Sequence, residues 1–278
     1  MKDAHGREIK YLRVSVTDRC NLRCKYCMPN GIECVGHKDI LSFEEIRQIA
    51  ACGAKLGITK IRLTGGEPLA RKGCPQLIRM LKEIPGMEKI AMTTNGTLVR
   101  AILPQLVEAG LDEINISLDT LDAETFAQIT GQDLLPEVLK SIDASLEEGL
   151  KVKVNAVSMP DTDWRRMVSL AKEKPVDVRF IELMPIGAGK QSKGRSNKEL
   201  LEEISNEYPE LQADNSVHGA GPAVYYKIPG FQGSIGLISA MHGKFCASCN
   251  RVRLTSTGFL KTCLCYEDGV DLRKILRK

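Results

Sequence analysis

Three cysteines fall within eight residues, in the run Cys20-Asn-Leu-Arg-Cys24-Lys-Tyr-Cys27. Three thiols cannot pair off evenly, so a disulfide does not account for them. A cubane iron–sulfur cluster normally takes four cysteine thiolates, each balancing iron charge. Three closely spaced thiolates can hold three irons and leave the fourth open to a ligand from outside the protein. The same difference separates an open catalytic metal site from a closed structural one. The competing reading is a zinc site that borrows its fourth ligand from elsewhere. The C-x3-C-x2-C spacing, set directly after an apolar β-branched run, favours the cluster.

A second group of three thiols is Cys246-Ala-Ser-Cys249 with Cys263. Here the competing reading is a Cys3His zinc site using His242. Cys265 could also close the site, although it stands only two residues from Cys263. The other histidines, His5, His37 and His218, show no ligand-like spacing.

These groups sit in a chain of 278 residues with 43% hydrophobic and 27% charged side chains, a balance that excludes disorder and collagen-like repetition. Ten cysteines are about 3.6% of the chain, below the ~8–10% of a disulfide scaffold. Clustered cysteines outside such scaffolds are more often metal ligands or redox groups. A net charge of +4 does not demand a nucleic-acid partner. No apolar run approaches the ~18 residues of a membrane span. The opening MKDAHGREIK lacks the apolar core of a signal peptide, which predicts a cytoplasmic location.

The elements that must position the cysteines alternate between β-branched runs and amphipathic stretches. Strands are predicted over 12–17, 60–64, 89–94, 113–118, 151–157 and 177–183. Ser42-Phe-Glu-Glu45 is a capping box opening a helix that buries Ile46, Ile49, Ala50 and Cys52. Further helices are predicted over 77–84, from Pro104 to Gly110, and over 122–129, 136–149 and 161–174. Strand–helix–strand repetition implies parallel pairing, either in a partial barrel or in an open doubly wound sheet. Past Pro185 the texture changes. A Gly/Ser/Lys loop from Ile186 to Asn197 precedes a helix at 198–208, strands at 225–228 and 234–239, and a hairpin of 251–255 with 259–263. The expected division is 1–185 and 186–278.

Taken together these segments resemble the GTP 3′,8-cyclase family of radical S-adenosylmethionine (SAM) enzymes. The resemblance runs through Leu12-Arg-Val-Ser-Val-Thr-Asp-Arg-Cys20, Arg62-Leu-Thr-Gly-Gly-Glu-Pro68, Thr93-Thr-Asn-Gly96, Ile116-Ser-Leu-Asp119, Lys153-Val-Asn155 and Arg179-Phe-Ile-Glu-Leu-Met184. It ends with Cys249-Asn-Arg-Val-Arg-Leu-Thr255 and Cys263-Leu264. It implies an incomplete (β/α)6 TIM-type barrel with a C-terminal extension that carries a second cluster. In such barrels functional groups gather at the carboxyl ends of the strands, where the cysteine loop and Gly65-Gly-Glu-Pro68 fall.

By this resemblance Cys20, Cys24 and Cys27 hold a first [4Fe–4S] cluster whose open iron takes SAM. Tyr26, Gly66, Ser117 and Met184 are the further SAM contacts, with Gly66 clearing room for its methionine part. One electron from the cluster yields a 5′-deoxyadenosyl radical that takes the ribose 3′ hydrogen of GTP, and the ribose radical attacks C8 of guanine. Cys246, Cys249 and Cys263 hold a second cluster that binds the guanine edge. Arg13, Arg62, Thr93, Lys153, Arg251, Val252 and Arg253 are the GTP contacts, with Arg251 and Arg253 as catalytic residues.

Other residues read more plainly. Lys60 and Lys89 read as a solvated face, Trp164 and Tyr225-Tyr226 as packing, and Cys34 and Cys74 as incidental. The expected partners are GTP as substrate and a one-electron reductant; a homodimer is allowed for, without nucleic acid or membrane. The family ends in a flexible tail closing on Gly-Gly, whereas this sequence closes on Ile275-Leu-Arg-Lys278, fifteen residues past Cys263. The alternatives are therefore a tail-less paralogue, another twin-cluster radical SAM enzyme with a different substrate, and a non-catalytic iron–sulfur electron carrier.

Overall fold

Period-two alternation along the apolar runs builds the wall of the molecule, seen strand by strand in a computed structural model that describes residues 2–4, 6–28, 31, 35–186, 190, 193–243 and 245–278. Six strands lie parallel in chain order: β1 (Tyr11–Ser15), β2 (Lys60–Thr64), β3 (Lys89–Thr94), β4 (Glu113–Ser117), β5 (Lys151–Ser158) and β6 (Asp177–Glu182). Between them run α1 (Phe43–Lys55), α2 (Cys74–Lys82), α3 (Val99–Glu108), α4 (Ala123–Thr130) with α5 (Leu135–Glu147), and α6 (Trp164–Glu173). The six units expected from the alternation are all present.

The later part of the chain extends the same sheet. After α7 (Asn197–Glu207) come β7 (Gln212–Asp214), β8 (Val224–Lys227), β9 (Ser234–Ile238), β10 (Arg251–Leu254), β11 (Phe259–Lys261), β12 (Gly269–Asp271) and α8 (Leu272–Leu276). β9 pairs parallel with β6, and β10 pairs parallel with β1. The twelve-stranded sheet runs β12-β11-β10-β1-β2-β3-β4-β5-β6-β9-β8-β7, so eight parallel strands are edged by antiparallel pairs. The change of texture near residue 186 is thus a change of composition within one continuous sheet.

Each parallel strand sends alternate residues to opposite faces. Leu12 and Val14, Ile61 and Leu63, Ile90 and Met92, Ile114 and Ile116, Val152 and Val154, and Val178 and Phe180 are buried in one core. The inward residues of these strands are mostly polar, Ala91 on β3 being an exception. They include Arg13, Arg62, Asn115, Lys153, Asn155, Arg179, Arg251 and Arg253, and all of these line one cavity. The sheet therefore curves around that cavity as an incomplete barrel.

Local signals account for most element ends. Ser42 and Glu45 form both halves of the capping box at α1, and Ser196 with Glu199 repeats it at α7. Asp122 caps α4 and Asp163 caps α6. Pro104 is a correction: it lies inside α3, which begins at Val99. The helix forgoes one backbone bond there, and burial of Val99, Leu103 and Leu106 holds it together. Cys52 is a second correction. α1 buries Ile46, Ile49, Ala50 and Gly53 and leaves the Cys52 side exposed. Cys74 is buried at the start of α2, whereas Cys34 and residues 187–189 of the Gly/Ser/Lys loop lie outside the described residues. Among the described residues no helix is long and apolar enough to cross a membrane.

Candidate active site

The inward polar residues enclose a cavity of about 310 Å³, a size suited to a small-molecule ligand. Among the described residues its wall carries eight cations (Arg7, Arg13, Lys60, Arg62, Lys153, Arg179, Arg251 and Arg253) and one carboxylate, Glu113. Glu113 accepts from Lys60 Nζ at 2.7 Å and from Arg62 Nη2 at 3.2 Å. Burial works to raise its pKa, but the Lys60 hydrogen bond and the charges of Lys60, Arg62 and Lys153 hold it down to about 2. Burial, reinforced by the charge of Arg179, brings Lys153 down to about 8. Burial also brings Arg13 down to about 9, with Arg253, Arg62 and Arg251 adding to it. Among the described residues, five buried atoms of this wall have no hydrogen-bond partner: Arg13 Nε, Arg179 Nε, Asn115 Oδ1, Asn155 Oδ1 and Glu113 Oε1, the last lying 3.6 Å from Lys89 Nζ. Such groups are costly to leave unpaired, and the excess of cations fits a polar anion in the cavity.

The first cysteine triad stands at the carboxyl ends of the strands, held by three neighbouring loops. Gly66 N–H donates to Thr17 O at 2.9 Å and Glu67 N–H to Arg19 O at 2.8 Å, tying the loop after β2 to the loop after β1. The fully buried Glu67 accepts from Leu69 N, Thr94 Oγ1 and Asn95 N, which anchors the end of β3. Asn95 Nδ2 then donates to Asn21 Oδ1 at 2.8 Å, one residue from Cys20. Tyr26 Oη donates to Asp119 Oδ2 at 2.6 Å, linking the loop to the end of β4. Burial, with Asp119 and the neighbouring thiols adding to it, pushes Cys24 up to about 12. Thiols gathered in this way suit iron, which binds the thiolate and offsets its charge. Leu22 N–H also donates to Cys20 Sγ at 3.4 Å.

The second triad stands at the opposite, amino ends. Asn250 O accepts from Lys10 N and Tyr11 N at the start of β1, and Arg7 Nη1 donates to Cys246 O at 3.0 Å. Cys246, Cys249 and Cys263 all line the cavity, as does Cys265, whose N–H donates to Cys263 Sγ at 3.5 Å. Burial works to raise Cys249, but the Arg251 backbone hydrogen bond and the charges of Arg251 and Arg7 bring it below its ordinary value. His242 is engaged elsewhere: its ring Nδ1 hydrogen-bonds Glu182 Oε1 at 3.2 Å, beside the end of β6. Among the described residues, no group of three His, Cys, Asp or Glu side chains is drawn together as a site for a single metal ion.

The residues expected at the site are divided between these places. Arg13, Arg62, Lys153, Arg251 and Arg253 line the cavity, and so does Met184. Thr93 stands beside it through Arg62 Nη1, at 3.4 Å. Arg62 is largely committed to the protein, since it also donates to Tyr11 Oη, Met92 O and Glu113. The side chain of Val252 turns away into the core, as period two requires between Arg251 and Arg253. Tyr26, Gly66 and Ser117 lie at the carboxyl rim with the first triad. A Cβ on Gly66 would meet Arg19 O at 2.4 Å, so the glycine admits the cysteine loop's own backbone.

Lys60 is a further correction. It is buried and paired with Glu113, whereas Lys89 on the same strand end of β3 has a side chain 55% exposed. Lys60, Glu113, Asn115 and Arg179 are site residues to which the sequence reading assigns no site role. The signal that finds them is strand parity, of Lys60 with Arg62, of Glu113 and Asn115 with Ser117, and of Arg179 with Ile181.

The chain matches the Radical SAM superfamily over residues 14–173 and Molybdenum Cofactor Synthesis C over residues 176–278. It is 47% identical over 281 residues to the GTP 3′,8-cyclase of Clostridium perfringens (strain 13 / Type A), covering 100% of this chain and 87% of that one. It is 44% identical over 285 residues to the GTP 3′,8-cyclase of Alkaliphilus oremlandii (strain OhILAs), covering 100% and 88%. Among solved structures, Streptococcus suis SuiB bound to S-adenosylmethionine shares the fold at a TM-score of 0.76 and 15% identity, over 96% of this chain and 64% of that longer one.

Proposed function

Because the chain belongs to the GTP 3′,8-cyclase family of the radical SAM superfamily, we propose that its cavity holds GTP between two iron–sulfur clusters, one at each end of the barrel. The family's reaction is the first step of molybdenum cofactor biosynthesis. In this reading Cys20, Cys24 and Cys27 hold the cluster that takes SAM, bordered by Tyr26, Gly66, Ser117 and Met184. Cys246, Cys249 and Cys263 hold the second. Residues 1–185 thus supply the SAM side, and 186–278 supply the second cluster.

The observation that carries the reading is the charge of the cavity, eight cations against a single carboxylate. A nucleoside triphosphate brings a compact multiple negative charge that answers them. Arg13, Arg251 and Arg253 offer planar forks suited to phosphate oxygens, and Lys153 offers a point charge. Arg251 and Arg253 touch the substrate beside the second triad and are the catalytic residues. Thr93 adds a hydroxyl, and Val252 takes part through its backbone. When bound, the first cluster and SAM supply the one-electron chemistry that removes a hydrogen atom from the ribose. The protein's part is to orient the nucleotide and keep water out. A one-electron reductant completes the reading.

The test is anaerobic reconstitution followed by incubation with reductant, SAM and GTP. The expected result is about eight irons per chain and a cyclised nucleotide. About four irons, or 5′-deoxyadenosine without cyclised nucleotide, overturns it.

A further inference from the structure

At the amino ends of β6 and β9, His218 is clasped between two aspartates. Its Nδ1 hydrogen-bonds Asp177 Oδ1 at 3.0 Å, and its Nε2 hydrogen-bonds Asp214 Oδ2 at 2.9 Å. Nε2 also lies 3.0 Å from Ser216 Oγ, so the ring is held on both sides. Asp214 is itself set by Ser216 N–H at 2.9 Å and Ser234 Oγ at 3.3 Å. The imidazole also stacks on Tyr225, with centroids 3.9 Å apart and planes 11° from parallel.

This clasp reaches the cavity through Lys153. The Lys153 ammonium donates to the backbone carbonyl of His218, donates to Tyr225 Oη at 3.2 Å, and pairs with Asp177 Oδ2 at 3.3 Å. One of these partners is His218 itself, one is stacked on its ring, and the third is its hydrogen-bond partner. Gly219, at a φ of +146° that would strain any other residue, follows directly, and a Cβ there would lie 3.4 Å from Lys153 Nζ. Gly219, Ala220, Gly221 and Pro222 then form part of the cavity wall.

We propose that His218 is a positioning residue for GTP: gripped by Asp177 and Asp214, it sets where Lys153 and the 219–222 wall stand. It thereby governs substrate affinity rather than the chemical step. The proposal rests on the assignment of the cavity to GTP.

The test uses the full-length, reconstituted chain and measures equilibrium GTP binding together with KM and kcat. His218→Ala is expected to raise Kd and KM for GTP about tenfold, the scale of a residue that acts without touching the ligand. Its kcat stays within about twofold, the mark of lost uniform binding, and added imidazole restores part of the affinity. Asp214→Asn keeps the ring and is expected to weaken GTP binding in the same direction by less. Lys153→Met is the companion variant. If Lys153→Met weakens GTP binding while His218→Ala and Asp214→Asn bind as the parent does, the positioning role falls and the GTP assignment stands. If Lys153→Met also binds GTP normally, the GTP assignment falls and takes the proposal with it. A loss confined to kcat likewise overturns it.

Discussion

Arg13 on β1 and Arg253 on β10 are register partners on adjacent parallel strands, so two guanidinium groups stand side by side on the cavity face. Burial lowers both below the ordinary arginine range; the charge of Arg253 adds to it at Arg13, and the charge of Arg251 adds to it at Arg253. Like charges packed out of water cost free energy, which a bound anion relieves. Arg13→Met is therefore expected to raise the melting temperature of the ligand-free chain and to diminish the rise that GTP produces. For the parent chain that rise corresponds to about 2.7 kcal/mol at a ligand concentration about 100 times Kd. Thermal melts with and without GTP check both halves. A variant that melts lower without ligand contradicts the relationship.

Lys153 gives a pH dependence of opposite sign for folding and for binding. Its folded-state pKa is lowered from 10.5 to about 8, so between about 8 and 10.5 the unfolded chain binds the proton that the folded chain has released. Stability from this group accordingly rises with pH across that window. On the proposed assignment of Lys153 to the phosphates, GTP affinity is expected to fall as pH climbs through about 8, because its ammonium is lost. Comparing the parent chain with Lys153→Met isolates the contribution in both measurements. Parallel pH profiles for the two chains would refute it.

Glu113 is the buried counter-charge that lets Lys60 and Arg62 share the wall. Removing one partner of a buried pair leaves uncompensated charge, so Glu113→Gln is expected to destabilise the fold by about 3–5 kcal/mol. The Glu113 pKa is depressed from 4.5 to about 2. Its contribution is thus complete above about 4.5 and is lost as pH falls from there toward about 2. Denaturant titrations at pH 7 and at successively lower pH should show the gap between parent and variant closing in that acid window.

Much of this arrangement is legible in the sequence because period-two alternation and capping signals are local. The six central strands match their expected spans to within a residue or two, and Ser42 with Glu45 caps α1 as the spacing requires. Arg251 and Arg253 share a face for the same reason. What stays hidden depends on contacts distant in sequence. Lys60 resembles any solvated strand lysine until β4 brings Glu113 to it from fifty-three positions away. His218 shows no ligand spacing because its partners, Asp177 and Asp214, come from β6 and β7. Pro104 misleads because helix propensity is weaker than burial of the α3 face.

Gly66 separates the two ends of the site. A Cβ there would lie 2.4 Å from Arg19 O and 2.6 Å from Asp18 O, against the backbone that leads directly into Cys20. Gly66→Ala must therefore push the first cysteine loop away from the ends of β2 and β3. The second triad is untouched, since it is tied to Arg7 and to the start of β1 at the other rim. The variant is expected to keep about four of about eight irons and to bind GTP as the parent chain does. Its SAM cleavage should be lost, because the cluster that takes SAM is the one displaced. Cys249→Ala should show the reverse, with the first cluster and SAM cleavage retained but 5′-deoxyadenosine formed without cyclised nucleotide. Iron analysis, GTP binding and product chromatography on the two variants decide the matter. If Gly66→Ala keeps its full iron and cleaves SAM at the parental rate, close packing of the two loops is not what positions the first cluster.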